Sequence, residues 1–276
     1  MKQISNKKWL YLLLLIGAAV LIVMACKDDS TDSGDQPPEI PPLTTFQMDF
    51  TAFPDTADAS AKPSMPLTYN NWGFAAFNVA VWNAFITLGA AVPVAAYVAA
   101  LQHTPQQQED GSWIWSYDIG DAYSAELHGS VGANGVDWEM YISQTGGYSD
   151  FLWYSGHNNL TITEGSWTLY QTPAEPESLL SIVWHRSTDN STADIKYTNV
   201  EPGGDEYGGY IYYGIDPDST FDAFYNIYNA GAEQLANIEW NFDTHDGRVK
   251  AEYRFEDTLW HCWDETLNDA DCEPTD

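Results

Sequence analysis

Basic residues are what this 276-residue chain has least of: 10 Lys plus Arg stand against 40 Asp plus Glu, a formal charge of -30. A surface with that balance repels polyanions, which excludes nucleic-acid binding by counterion release and the docking of basic patches onto anionic lipid heads. Catalytic signatures are also missing. The chain contains no Gly-x-Ser-x-Gly elbow, no His-Glu-x-x-His pair, no phosphate-binding Walker loop and no dinucleotide fingerprint. Glycoside hydrolysis needs only two carboxylates at a suitable separation, and among 40 acids such a pair leaves no sequence signature. There is no internal repeat, so neither a propeller nor a solenoid is indicated. Hydrophobic residues, in contrast, make up 44% and aromatics 14% of the chain, enough for a sizeable core and incompatible with a disordered tail or a coiled coil.

Charge is distributed unevenly. Lys2, Lys7 and Lys8 precede an unbroken apolar stretch over residues 9–25, with the charged and apolar regions of a secretory signal and somewhat short for a membrane span. The stretch ends in Val23-Met24-Ala25-Cys26. This resembles the lipobox of bacterial lipoproteins, with Met24 where a smaller residue is usual. The resemblance implies cleavage before Cys26 and attachment of diacylglycerol and a further acyl chain such as palmitate there, so that outer-membrane lipid becomes the protein's first partner. Several buried acyl chains at about 0.8 kcal/mol per methylene make release negligible. Lys27-Asp28-Asp29 looks like the signal that sends some Gram-negative lipoproteins to the cell surface. An ordinary secretory signal with a chance cysteine is the plainer alternative. Residues 26–45 are rich in Asp, Ser, Gly and Pro and read as a disordered acidic tether, leaving residues 46–276 as one globular domain.

Cysteine is scarce, and its arithmetic follows from the lipobox: of three, assigning Cys26 to lipid leaves Cys262 and Cys272 as a pair. A disulfide between them would close a short C-terminal tail, 256–276, and contribute about 2–3 kcal/mol. A metal site using His261 and Cys262 lacks a second ligand cluster at a recognised spacing.

Residues 70–102 contain no charged residue and are rich in Ala, Val, Phe, Trp and Leu. They predict a helix that is apolar all round, hence wrapped by protein or placed in lipid. Pro93 should kink or restart it. The polar Asn78, Asn83 and Thr87 favour a buried helix over a membrane span.

Residues 111–255 show short runs of Trp, Tyr, Ile, Val and Phe between turn signals, the mark of antiparallel strands. The turns read as Gly120-Asp121, Asn134-Gly135, Gly146-Gly147, Glu164-Gly165, Asp189-Asn190, Gly203-Gly204, Asp216-Pro217 and Asp246-Gly247, giving about ten strands. Val136, Trp138, Met140 and Ile142 alternate with polar neighbours; so do Ile238, Trp240 and Phe242, then Val249, Ala251 and Tyr253. One face of the sheet is therefore dry and needs a cover. The expected fold is α+β but mainly β: a curved antiparallel meander or incomplete barrel packed around one long apolar N-terminal helix. In order and type of elements, though in no motif, this loosely resembles the lipoprotein-localisation carriers and their outer-membrane receptor, and more distantly the lipocalins. The resemblance implies a site for acyl chains and assigns no residue to it.

Candidate site residues are few. Trp113, Trp115 and Tyr117 share one strand face, and Tyr210 and Tyr212 another; such aromatics offer a platform for sugar rings, acyl chains or an envelope protein, or simply stabilise the sheet as cross-strand pairs. Glu126 and His128 lie on one strand face, a conceivable acid and base, opposite the apolar Tyr123, Ala125 and Leu127. The acidic loops at 216–218, 243–246 and 264–273 allow weak calcium occupancy, but none matches the twelve-residue calcium loop. No dedicated cofactor is expected.

Overall fold

In a computed structural model, the structure describes residues 36–54 and 70–272. Cys26, the apolar leader and most of the tether lie outside the described residues. Fourteen strands form one sheet in which every strand pairs antiparallel with its sequence neighbours, from β1 (Gln106–Gln107) to β14 (Asp269–Ala270). Between them run β2 (Trp113–Ile119), β3 (Tyr123–Gly132), β4 (Gly135–Gln144), β5 (Phe151–Asn158), β6 (Glu164–Thr172) and β7 (Glu175–Arg186). The meander continues through β8 (Ala193–Asn199), β9 (Tyr210–Ile215), β10 (Ala223–Asn229), β11 (Gln234–Trp240), β12 (Gly247–Lys250) and β13 (His261–Trp263). The sheet is open, and both of its edge strands are only two residues long, so β1 pairs only Trp113 and Ile114 of β2.

The mainly β architecture agrees with expectation; the count of ten does not. Two turns lack strong signals: Pro173 and Ala174 join β6 to β7, and residues 230–233 join β10 to β11. Glu164-Gly165, read as a turn, lies inside β6, because Gly165 is the position over which the Trp184 ring lies. The C-terminal segment is not a mere tail. It forms β13 and β14, closed by the Cys262–Cys272 disulfide. The expected alternation holds within strands, where Trp138, Met140, Ile142, Ile238, Trp240 and Val249 are buried. It fails past their ends: Phe242 follows the end of β11, and Tyr253 lies in the short helix α3 (Glu252–Phe255), so both are exposed.

The inner face is built from indoles laid over glycines. Across five neighbouring strands the register reads Trp113, Gly129, Trp138, Gly156, Trp167, and on the far side Trp240, Gly247, Trp263. Alternating the largest side chain with none across the strands of the buried face lets each ring lie on its neighbour's backbone.

The predicted single helix is two. Asn70 caps α1 (Asn71–Gly89) by accepting the Gly73 N–H at 2.7 Å. Pro93 stands in the first turn of α2 (Ala91–Ala100), where a missing N–H costs nothing; in a continuous helix its ring would meet the carbonyl of residue 89, so the chain breaks at Ala90. Nor is the sheet wrapped around this segment alone. Residues 40–54 form a strap with 3-10 turns at Leu43–Thr45 and Phe50–Ala52, and it drives Phe46, Met48, Phe50 and Phe53 into the core. Packing thus begins at Ile40, inside the stretch read as tether. The Tyr197 hydroxyl accepts the Met48 N–H at 2.8 Å and donates to the Phe46 carbonyl at 2.9 Å. Tyr97 of α2 stacks on Phe46 with ring centroids 4.7 Å apart and donates to the Pro41 carbonyl. α2 packs on β2, whereas α1 touches β10, β12 and β13; the helices therefore serve the two flanks of the open meander.

Candidate functional site

The start of α1 is held by the C-terminal hairpin. Asn70 donates to the Leu267 carbonyl at 3.0 Å, Asn71 donates to the Cys262 carbonyl at 2.8 Å, and the Asn71 N–H reaches Asp269 at 2.7 Å. From there the face carrying Gly73, Phe74, Ala75, Ala76, Val79 and Ile86 is buried. The opposite face is not. Phe77, Val81, Phe85 and Leu88 recur at helical spacing and remain 47%, 52%, 39% and 83% exposed, one contiguous apolar stripe.

Beneath this stripe runs a groove of about 580 Å³. It is lined by Phe74, Phe77, Asn78, Val81 and Trp82 of α1, by Ile227, Asn229 and Gln234 from β10 and β11, and by Tyr253 and Arg254 of α3. It shares Val81, Trp82 and Asn229 with a second depression of about 240 Å³, which adds Phe85, Asn199, Glu206 and Tyr228. Groove volumes of about 300–1,000 Å³ suit ordinary organic ligands. Half of the lining is polar, and part of it is paired: the Asn78 amide donates to the Phe74 carbonyl at 2.9 Å, Tyr253 donates to Asn78 at 3.4 Å, and Asn229 accepts the Ala232 N–H at 2.8 Å. Partial desolvation against α1 raises the Tyr253 phenol above its ordinary pKa, although the ring stays half-exposed. The Arg254 guanidinium packs 5.9 Å from the Phe74 ring centroid.

The sequence-derived candidates lie elsewhere. Trp113, Trp115 and Tyr117 are core residues at 9%, 3% and 7% exposure, and the Tyr117 hydroxyl donates to the Ala96 carbonyl of α2 at 2.6 Å; they form no open platform, because α2 roofs their face. Tyr210 and Tyr212 lie on the outer face, against Tyr228 and Phe224 at 5.6 and 5.1 Å. The Lys196 ammonium sits 3.9 Å over the Tyr210 ring. They form a cross-strand ladder, and only through Tyr228 does it reach the smaller depression.

Glu126 and His128 are 3.3 Å apart on the outer face, where Tyr141 packs on the imidazole. The same pairing recurs at His157–Asp137, 2.7 Å, at His185–Asp194, 2.9 Å, and at His261–Asp257, 3.1 Å. The acidic loops use their carboxylates to close their own turns. Asp216 accepts the Asp218 N–H, Asp264 accepts from Thr266 and Asn268, and Asp246 accepts from Thr244 and Asn241. Among the described residues no three His, Cys, Asp or Glu converge to hold a metal ion. The groove itself escaped sequence reading, because a helix that is apolar all round shows no preferred face.

Comparison with protein-family models, with curated proteins and with solved structures gives no match in any of the three.

Proposed function

We propose that this chain is a non-catalytic lipoprotein of the bacterial outer membrane, acylated at Cys26 and displayed on the cell surface. Its body takes an apolar or amphipathic ligand in the groove beside α1. The observation that carries this reading is the groove of about 580 Å³ walled by Phe74, Phe77, Val81 and Trp82, next to apolar side chains that the fold leaves in water. Its composition, aromatic and aliphatic side chains beside Asn, Gln and Tyr, suits an amphipathic molecule. The leader and lipobox support the address, and the lack of catalytic motifs supports binding over chemistry.

Glycan binding or degradation is the second reading, favoured by the outer ladder of Tyr210, Tyr212, Phe224 and Tyr228. Hydrolysis needs two carboxylates flanking one groove, and the depression that this ladder reaches is lined by one, Glu206. A third role, as structural subunit of an outer-membrane assembly with an envelope protein as partner, rests on the anchor alone.

Native mass spectrometry of the full chain, extracted from its own envelope, tests these readings. Adducts of lipid mass that are released on denaturation, and lost in Val81→Asp, are the expected result. A bare acylated chain would refute ligand carriage, a sugar adduct would favour the second reading, and a fixed-stoichiometry complex the third.

A further inference from the structure

We infer that the corner between α1 and α2 is a membrane seat: Ala84, Phe85, Leu88, Gly89 and Ala91 dip into the acyl-chain boundary of a bilayer and bring the groove to the lipid surface. The inference deepens the ligand reading, since it makes bilayer acyl chains the ligand source.

Four observations select lipid as the occupant. In a chain of net charge -30, residues 70–102 carry no charge at all, so the corner has no ion of its own to desolvate at a hydrocarbon phase, and the carboxylate beside it is Glu206, in the depression that Phe85 also lines. α1 is apolar and long enough to cross a membrane, with a mean hydropathy of 1.2, yet only 33% of that window is buried in the protein. At the corner Ala84, Phe85, Thr87, Leu88, Gly89 and Ala91 are all exposed. The one polar side chain among them, Thr87, turns its hydroxyl back to Asn83 at 3.0 Å. Finally, thirteen residues lie between Cys26 and Ile40, where packing begins, a span of fourteen Cα–Cα steps. Extended, they reach about 45–50 Å, so an acyl anchor at Cys26 leaves the corner free to meet the same membrane.

The seat is not a span. One face of α1 is buried through Phe74, Ala75, Ala76, Val79 and Ile86, and its first turn is tied to the disulfide hairpin by Asn70 and Asn71. Crossing the bilayer would require those contacts to break, whereas lying at the interface requires none to change.

The test places an environment-sensitive dye on Leu88→Cys in the full acylated protein, reconstituted in phosphatidylcholine vesicles with and without a spin label on the acyl chain. Ser130→Cys, on an exposed strand position, is the control, and Ala84→Cys a second corner probe should Leu88→Cys fold poorly. The expected result is a blue shift at the corner with quenching several-fold stronger than at residue 130. Adding anionic lipid at low salt should weaken that quenching, and raising the salt should restore it, because the acidic body is repelled. A water-like spectrum at both corner positions overturns the inference. So does a blue shift without spin-label quenching, which would place protein, a second copy or a partner, over the corner. Free-lipid adducts together with an unquenched corner would retain the ligand reading and discard the seat; a quenched corner without adducts would do the reverse.

Discussion

Gly156→Ala should destabilise the fold, although strand propensity alone says the opposite. Ala is ordinarily better than Gly inside a strand by about 0.5–1 kcal/mol, because glycine loses more backbone freedom on folding. At this position a Cβ would fall 2.1 Å from Cε3 of Trp167 and 2.6 Å from the Ser166 carbonyl oxygen. The oxygen belongs to the paired β6 backbone and cannot swing aside. The indole, at 1% exposure, is enclosed by Phe46, Tyr97 and Tyr154 with ring centroids between 5.6 and 5.7 Å away. Overpacking of this kind costs about 1–3 kcal/mol or more, so it outweighs the propensity gain. For a body of this size each kcal/mol moves Tm by about 2–4 °C, and the expected drop is several degrees. Near-ultraviolet circular dichroism, which follows the packed indoles, is the assay. Gly132→Ala is the control, since its Cβ would meet nothing nearer than 3.8 Å, and its Tm should hold or rise slightly. In a Trp167→Phe background the Gly156→Ala penalty should shrink, a coupling expected of neighbours in contact. A variant that melts at or above the parent would refute the argument that glycine is required under the ring.

Three further outcomes follow from the interior. Tyr197→Phe strands the buried Met48 N–H and Phe46 carbonyl and should cost about 1–3 kcal/mol in denaturant melts, whereas Tyr225→Phe removes a buried hydroxyl with no partner among the described residues and should be neutral or stabilising. Burial raises the phenols of Tyr97, Tyr117, Tyr154, Tyr197, Tyr213 and Tyr225 above their ordinary value of 10. Their contribution is therefore complete below pH 10 and lost as pH rises beyond it; absorbance at the phenolate band should show exposed tyrosines titrating first and a cooperative jump on alkaline unfolding, and a smooth titration of all 17 tyrosines near pH 10 with the fold intact would contradict this. Reducing Cys262–Cys272 should cost about 2–3 kcal/mol by loop closure and, by loosening the hairpin that holds Asn70 and Asn71, raise amide exchange at the start of α1; unchanged exchange there would show that the capping contacts do not depend on the bridge.

Much of the sheet was legible because a strand's period is local. Trp138, Met140 and Ile142 alternate with charged or polar neighbours, and the structure buries that face. The break before α2 follows from Pro93 for an equally local reason. What was not legible depends on register. Trp113, Trp115 and Tyr117 declare a shared face but not whether anything roofs it, and the roof is α2. Phe46, Met48 and Phe50 alternate with Gln47, Asp49 and Thr51 as a short strand would, yet the segment pairs with no sheet, and its role as core plug becomes visible only when Tyr197, about 150 residues away, holds its backbone. Pro173-Ala174 lacks the Gly, Asn or Asp that announces a hairpin.

Sequence by itself thus determined the class of structure: antiparallel strands with one dry face, an uncharged helical segment and a cysteine pair, each a matter of neighbours within a few residues. Tertiary structure alone decided which apolar groups stay in water. Val79 and Val81 are the same residue type two positions apart, yet one is fully buried and the other 52% exposed. Exposure is set by what packs opposite, and for α1 that is β10, β12 and β13, elements more than a hundred residues further along the chain.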